Sequence, residues 1–76
     1  MPDTPRYKTV QFIYNELWSQ VGILDTRSGK VARFGDFGTY LLRRARENTT
    51  MLNNGLVHYH TLVWTQRERV RDIEDA

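Results

Sequence analysis

One stretch, Asp36 to Gly55 (DFGTYLLRRARENTTMLNNG), limits what this chain can become more than any other. Asp36 can accept hydrogen bonds from the open N–H groups of a following turn, and Asn53-Asn54-Gly55 offers the left-handed backbone that closes a helix. At about 100° per residue, Phe37, Leu41, Ala45 and Leu52 fall on one side, with Tyr40 and Met51 at its edge. Arg43 and Arg46 point the other way, and Arg44 lies nearer the apolar boundary, where its stem can pack while its head stays wet. The spacing predicts an amphipathic helix over 36–53. Its apolar side needs a second layer; its arginine side is either a solvated face or a contact surface.

The second layer has to come from a short chain. A protein of 76 residues buries only about 60% of the surface its unfolded form exposes, so stability is modest. Cysteine is absent, so neither disulfides nor a thiolate zinc site can staple the fold. The N-terminal MPDTPRYK has no apolar signal core, and no run approaches the roughly 20 apolar residues that span a bilayer. A soluble intracellular protein is the expectation. Net charge is only +2, yet nine of the eleven basic residues are arginine, whose planar fork suits phosphate, carboxylate and aromatic partners. Residues 1–66 hold eight basic against five acidic side chains, whereas the last ten hold three against four. A basic body points to nucleic acid or an acidic protein surface, although a surplus this small is common in proteins that bind neither.

Taken in order, residues 1–8 carry Pro2 and Pro5 without periodicity and read as a flexible N-terminal arm, with Arg6, Tyr7 and Lys8 as contact candidates. TVQFIYNELWSQVG then allows two periods. As a strand, Val10, Phe12 and Tyr14 alternate, but Glu16 falls on the apolar face. As a helix over 9–21, Val10, Ile13, Tyr14, Leu17, Trp18 and Val21 share a side, Thr9 serves as N-cap and Gly22 as terminator. The helix is favoured on count, and it leaves Phe12 turned toward solvent or a partner. GILDTRSGKVARF over 22–34 reads as a hairpin turning at Ser28-Gly29, with Arg27, Lys30 and Arg33 on it. LVHYHTLVWT is rich in β-formers and is expected as a strand over 56–64. The remainder, 65–76, reads as a charged tail, frayed or helical. The expected fold is α+β: one domain over 9–64, a three-stranded antiparallel sheet with two helices, in the order α-β-β-α-β.

No catalytic constellation emerges. His58 and His60 would share a strand face, but a metal site needs further ligands, and these are the only histidines. They read as half-exposed strand residues. Asp36-Phe37-Gly38 spells a kinase string in a chain with no room for the rest of a nucleotide cleft. No nucleophile sits in an elbow or glycine-rich loop, so neither enzyme activity nor a cofactor is expected. Two surface signals remain. Arg43 and Arg46, with help from Arg27, Lys30 and Arg33, could meet phosphates or acidic side chains. Nine aromatic residues are too many for one small core, so some should face outward beside arginine.

Taken together, PRYKTVQFIYNELW, ILDTRSGKVARF and DFGTYLLRRARENTT resemble a small transcription regulator of a Xanthomonas phage that binds the host's RNA polymerase. The resemblance implies a protein of the host bacterial cytoplasm that docks near the N-terminus of the polymerase β′ subunit and lies close to nascent RNA. It implies inhibition of σ-dependent initiation and read-through of intrinsic terminators, by binding alone, with no membrane or small-molecule substrate. It transfers no site residue. From the residues themselves, Arg6, Tyr7, Lys8 and Phe12 are candidates for partner contact. Arg43, Arg46, Arg27, Lys30 and Arg33 are candidates for a nucleic-acid or acidic surface; the alternative function is a small basic nucleic-acid-binding module.

Overall fold

Alternation, not helical spacing, governs the first third of the chain. In the computed structural model, which describes residues 5–66 and 70–72, strand β1 is Tyr7–Ile13 and strand β2 is Ser19–Asp25. They run antiparallel, with Tyr7 opposite Asp25 and Ile13 opposite Ser19. The helix expected over 9–21 is a β-hairpin instead. Its turn explains why the periods were confounded: Tyr14 and Asn15 donate their backbone N–H groups to the Trp18 carbonyl, and the Asn15 side chain accepts from Leu17 N–H at 2.7 Å. An asparagine that takes backbone two residues on drives a turn. Glu16 never reaches the apolar face, because the strand has ended at Ile13 and Glu16 lies exposed in the turn.

Strand β3, Val31–Asp36, pairs with β2 through the turn expected around Ser28-Gly29, where Gly29 adopts φ +79°. A register shift in this pair places Gly22 opposite Arg33 but Val21 opposite Gly35, so Phe34 is the extra residue of a bulge. Gly22, expected to end a helix, lies mid-strand because space forbids anything larger. A Cβ there would collide with the Ala32 carbonyl and with the Phe12 ring. Strand β4, Val70–Asp72, lies against the far side of β1 with Val70 opposite Phe12, giving the sheet order β3-β2-β1-β4. Part of the tail expected to be frayed or helical is thus a strand; its residues 67–69 and 73–76 lie outside the described residues.

Helix α1, Thr39–Asn53, matches the expected helix but starts later. Gly38, in extended backbone, is the N-cap; Asp36 belongs to β3 and caps nothing. The C-terminal end forms as the asparagines and glycine indicate. Leu56 N–H reaches the Met51 carbonyl, Gly55 N–H reaches that of Leu52, and Gly55 has φ +74°. That pairing satisfies the last carbonyls of the helix. Ala45, Thr49 and Leu52 are the buried residues of α1. The Thr49 hydroxyl donates to the Ala45 carbonyl and therefore accepts from Thr9 Oγ1, at 2.9 Å, which fixes the helix over β1. Asn53 adds a second clamp: its carboxamide accepts from Tyr7 N–H and donates to the Tyr7 carbonyl, as a neighbouring strand would.

Both sheet faces carry buried apolar side chains. On the helix side Tyr7, Ile23 and Leu52 form one core, joined by Phe34, Val57, Tyr59, Leu62 and Trp64. Val10, Phe12, Leu24 and Val31 form the other, joined by Tyr14 and Val70. The segment expected as a strand over 56–64 is a lid on the first core, with a single 3-10 turn at Tyr59–Thr61. Its β-formers serve packing instead of pairing: Tyr59 and Trp64 stack at 4.6 Å, and Trp64 Nε1 donates to the Tyr59 carbonyl. From the lid, Thr65 exchanges two backbone bonds with Val31 on β3, and Val70 then pairs on β1 at the opposite edge of the sheet. The architecture is α+β, a four-stranded antiparallel sheet with one helix in the order β-β-β-α-β, not the two-helix order α-β-β-α-β. No helix of the described residues is long and apolar enough to cross a membrane.

Candidate partner-binding surface

The fold takes two of the four N-terminal candidates inside. Phe12 is fully buried and Tyr7 is 6% exposed, so neither offers its ring to a partner. Phe12 faces solvent only if residues 9–21 are helical; on a strand it alternates into the core. Arg6 is not part of a loose arm. Its Nε and Nη2 bond both carboxylate oxygens of Asp25 at 3.0 and 3.1 Å, and its guanidinium lies over the rings of Tyr7 and Tyr59. Asp25 is fully buried and also accepts from the Ser28 hydroxyl and the Arg27 backbone N–H. Burial pushes its carboxyl up, but the bonds from Arg6, Ser28 and Arg27 outweigh that and hold it down at about 2. Lys8 is half-buried within β1.

The basic candidates do not form one surface. Arg43 and Arg46 are exposed on α1 and line a shallow groove with Thr39, Leu42, Glu47 and Thr50. Arg27 and Lys30 are exposed in the β2–β3 turn, with Arg27 beside Arg6 and Asn53 at the C-terminal end of α1. Arg33 stands opposite Gly22, on the sheet face that Val10 and Phe12 share, and its guanidinium lies over Phe12 and Tyr14. The helix covers the other face. A phosphate backbone following Arg43 and Arg46 would therefore have to bend around the sheet to reach Arg33.

The feature that sequence reasoning did not locate is an aromatic end. Two connections meet there: the turn between β1 and β2, and the β3–α1 junction. Trp18 Nε1 donates to Asp36 at 3.0 Å, and Phe37 N–H donates to the Ser19 carbonyl at 2.9 Å. Near these bonds, in the two connections and the first turn of α1, four large side chains remain open to solvent: Leu17 at 98%, Trp18 at 45%, Phe37 at 40% and Tyr40 at 66%. Trp18 is stacked on Tyr14 at 4.1 Å, so its indole is held in place while exposed. Arginine borders the group twice, with Arg33 over Tyr14 and Arg44 beside Tyr40, whose hydroxyl accepts from Arg44 Nη1. Exposed Trp and Tyr beside Arg are residue types that binding hot spots favour.

Helical spacing assigned Tyr14, Leu17 and Trp18 to a buried stripe, which hid this group. Asn15 was the available sign of a turn, and the surplus of aromatics was the available sign that some ring stays outside. Asp36, in the string Asp36-Phe37-Gly38, serves as acceptor for the Trp18 indole, and Gly38 as the N-cap of α1. His58 and His60 lie in the lid, exposed and stacked on each other at 5.6 Å, and the described residues contain no group of three potential metal ligands. No family model matches this chain, and comparisons with curated proteins and with solved structures return no match.

Proposed function

We propose that this protein is a phage transcription regulator that acts by binding the host RNA polymerase, with the Leu17–Trp18–Phe37–Tyr40 end as its contact surface. One observation carries the binding reading: four large apolar side chains stand in solvent at one end of a chain too small to leave them idle, two Arg–Tyr pairs bordering them. The identity of the partner rests on the resemblance of the three stretches given above. Docking near the β′ N-terminus, inhibition of σ-dependent initiation and read-through of terminators belong to the same proposal. Association alone accounts for such effects, since a module that occupies a polymerase surface changes which factors and conformations are accessible.

The test is capture of purified bacterial RNA polymerase on the immobilised full-length chain. A complex at micromolar concentration is the expected result, and its absence at that concentration removes the polymerase reading. Direct nucleic-acid binding, with Arg43 and Arg46 as the phosphate contacts, predicts instead an affinity that falls steeply with salt and with alanine at both positions. The division of the basic residues between α1 and the opposite sheet face disfavours it.

A further inference from the structure

We infer that the lid, from Val57 to Thr65, is a cover that opens as a unit while the sheet and α1 stay folded. Its attachment to the body is slight. Val57, Tyr59, Leu62 and Trp64 are half-buried, the other residues of the stretch are exposed, and none of them is Asp, Glu, Lys or Arg. What joins it to the body is apolar contact with Tyr7, Ile23 and Leu52, the Arg6 guanidinium over Tyr59 at 5.5 Å, the Tyr7–Trp64 ring contact at 5.8 Å and the two backbone bonds that Thr65 exchanges with Val31. Ile23, by contrast, is wholly buried on β2, a strand paired on both sides. A segment with half-buried contacts and one backbone bridge opens at lower cost than the ladders beneath it. Gly55, at φ +74°, is the turning point at its start.

The lid opens as a piece because its closest contacts are with itself. Tyr59 and Trp64 stack at 4.6 Å with their planes 3° apart, and Trp64 Nε1 donates to the Tyr59 carbonyl at 2.6 Å. The backbone N–H and the hydroxyl of Thr61 both donate to the His58 carbonyl, at 3.0 and 2.8 Å. These bonds travel with the segment, whereas Arg6 stays behind on Asp25. Opening uncovers Tyr7, Ile23 and Leu52, each 6% exposed or less under the lid. It also frees the peptide groups of Val31, whose N–H and C=O both face Thr65 and therefore point away from β2. An open strand edge beside an apolar patch is where another chain can pair. The closed lid shields both features at once, and its opening exposes both at once.

Native-state amide hydrogen exchange of the full chain in a urea series tests this. Val31 is the reporter, because it belongs to the sheet but its N–H is bonded to the lid. Ala32, the next residue, faces β2 opposite Ile23 and is the control. Relative to free-chain rates, the Val31 and Thr65 amides should exchange at least about tenfold faster than those of Ala32 and Ile23, and with little dependence on urea below the unfolding transition. Ala32 and Ile23 should show the full urea dependence of global unfolding. Trp64→Ser removes the stack, the indole bond and the ring contact with Tyr7 in one step. In that variant Val31 and Thr65 should exchange within about tenfold of a free chain, while Ile23 stays at least about tenfold better protected. One shared protection level and urea dependence for all four amides in the wild-type chain would overturn the inference, as would a Trp64→Ser variant in which the sheet unfolds with the lid.

Discussion

The two ends of the β1–β2 pair solve opposite problems. At the Tyr7–Asp25 end the buried carboxylate and the strand's open backbone groups are paired internally. Asp25 takes both nitrogens of Arg6, the Ser28 hydroxyl and the Arg27 N–H, while Asn53 satisfies the Tyr7 backbone. At the Ile13–Ser19 end the polar groups are also paired, through Trp18 with Asp36 and Phe37 with Ser19, but the apolar surface is left over. One end spends charge to close the fold; the other uses hydrogen bonds to display rings and Leu17. If the open end is the contact surface proposed above, stability and binding belong to different ends of the same hairpin, and substitutions should separate them.

The largest expected effect is at the closed end. Asp25→Ala leaves the Arg6 guanidinium, Ser28 and the Arg27 N–H without their shared acceptor, and should lower the free energy of unfolding by about 3 kcal/mol, read by urea denaturation. A loss under about 1 kcal/mol would mean that this end is not the anchor described.

Acid should probe the same network more gently. The folded-state pKa of Asp25, about 2, lies below the roughly 3.9 of an unfolded aspartate, so the folded form gives up the proton more readily. The stabilisation is therefore complete above about pH 4 and is lost as pH falls toward 2, amounting to about 2 kcal/mol. Midpoints of urea unfolding measured between pH 5 and pH 2 should fall across that window, and the Asp25→Asn variant should show a shallower dependence.

The smallest effect on stability belongs to the open end. Leu17→Ala should change unfolding by less than about 0.5 kcal/mol, because an almost fully exposed side chain has little packing to lose. A larger loss would place Leu17 in the folding core and weaken the contrast between the ends.

Much of the chain could be read before its structure was known, where local chemistry decides the outcome. The helix stop at Asn53-Asn54-Gly55 and the turn at Ser28-Gly29 depend on the left-handed backbone that glycine accepts, a property of single positions. The hairpin over 7–25 was missed because its two strands and turn place Val10, Ile13, Tyr14, Leu17, Trp18 and Val21 at helical intervals by coincidence. Only the tertiary structure breaks the tie: Phe12 is buried on a strand beside Gly22, and would be left out on a helix. The 56–64 segment failed for the converse reason. Its β-propensity is real, but the Tyr59–Trp64 stack and the core under it reward a lid. The candidate surface was legible only as an excess of aromatics beside arginine. Which rings are outside depends on a turn whose one local sign was Asn15.

The most direct test of the division between a closed end and a binding end is polymerase capture by the Leu17→Ala/Tyr40→Ala double variant, compared with wild type at equal thermal stability. An unfolding midpoint close to wild type with capture reduced tenfold or more, about 1.4 kcal/mol, is the expected result. Capture equal to wild type by a folded double variant would contradict the assignment of this end as the contact surface.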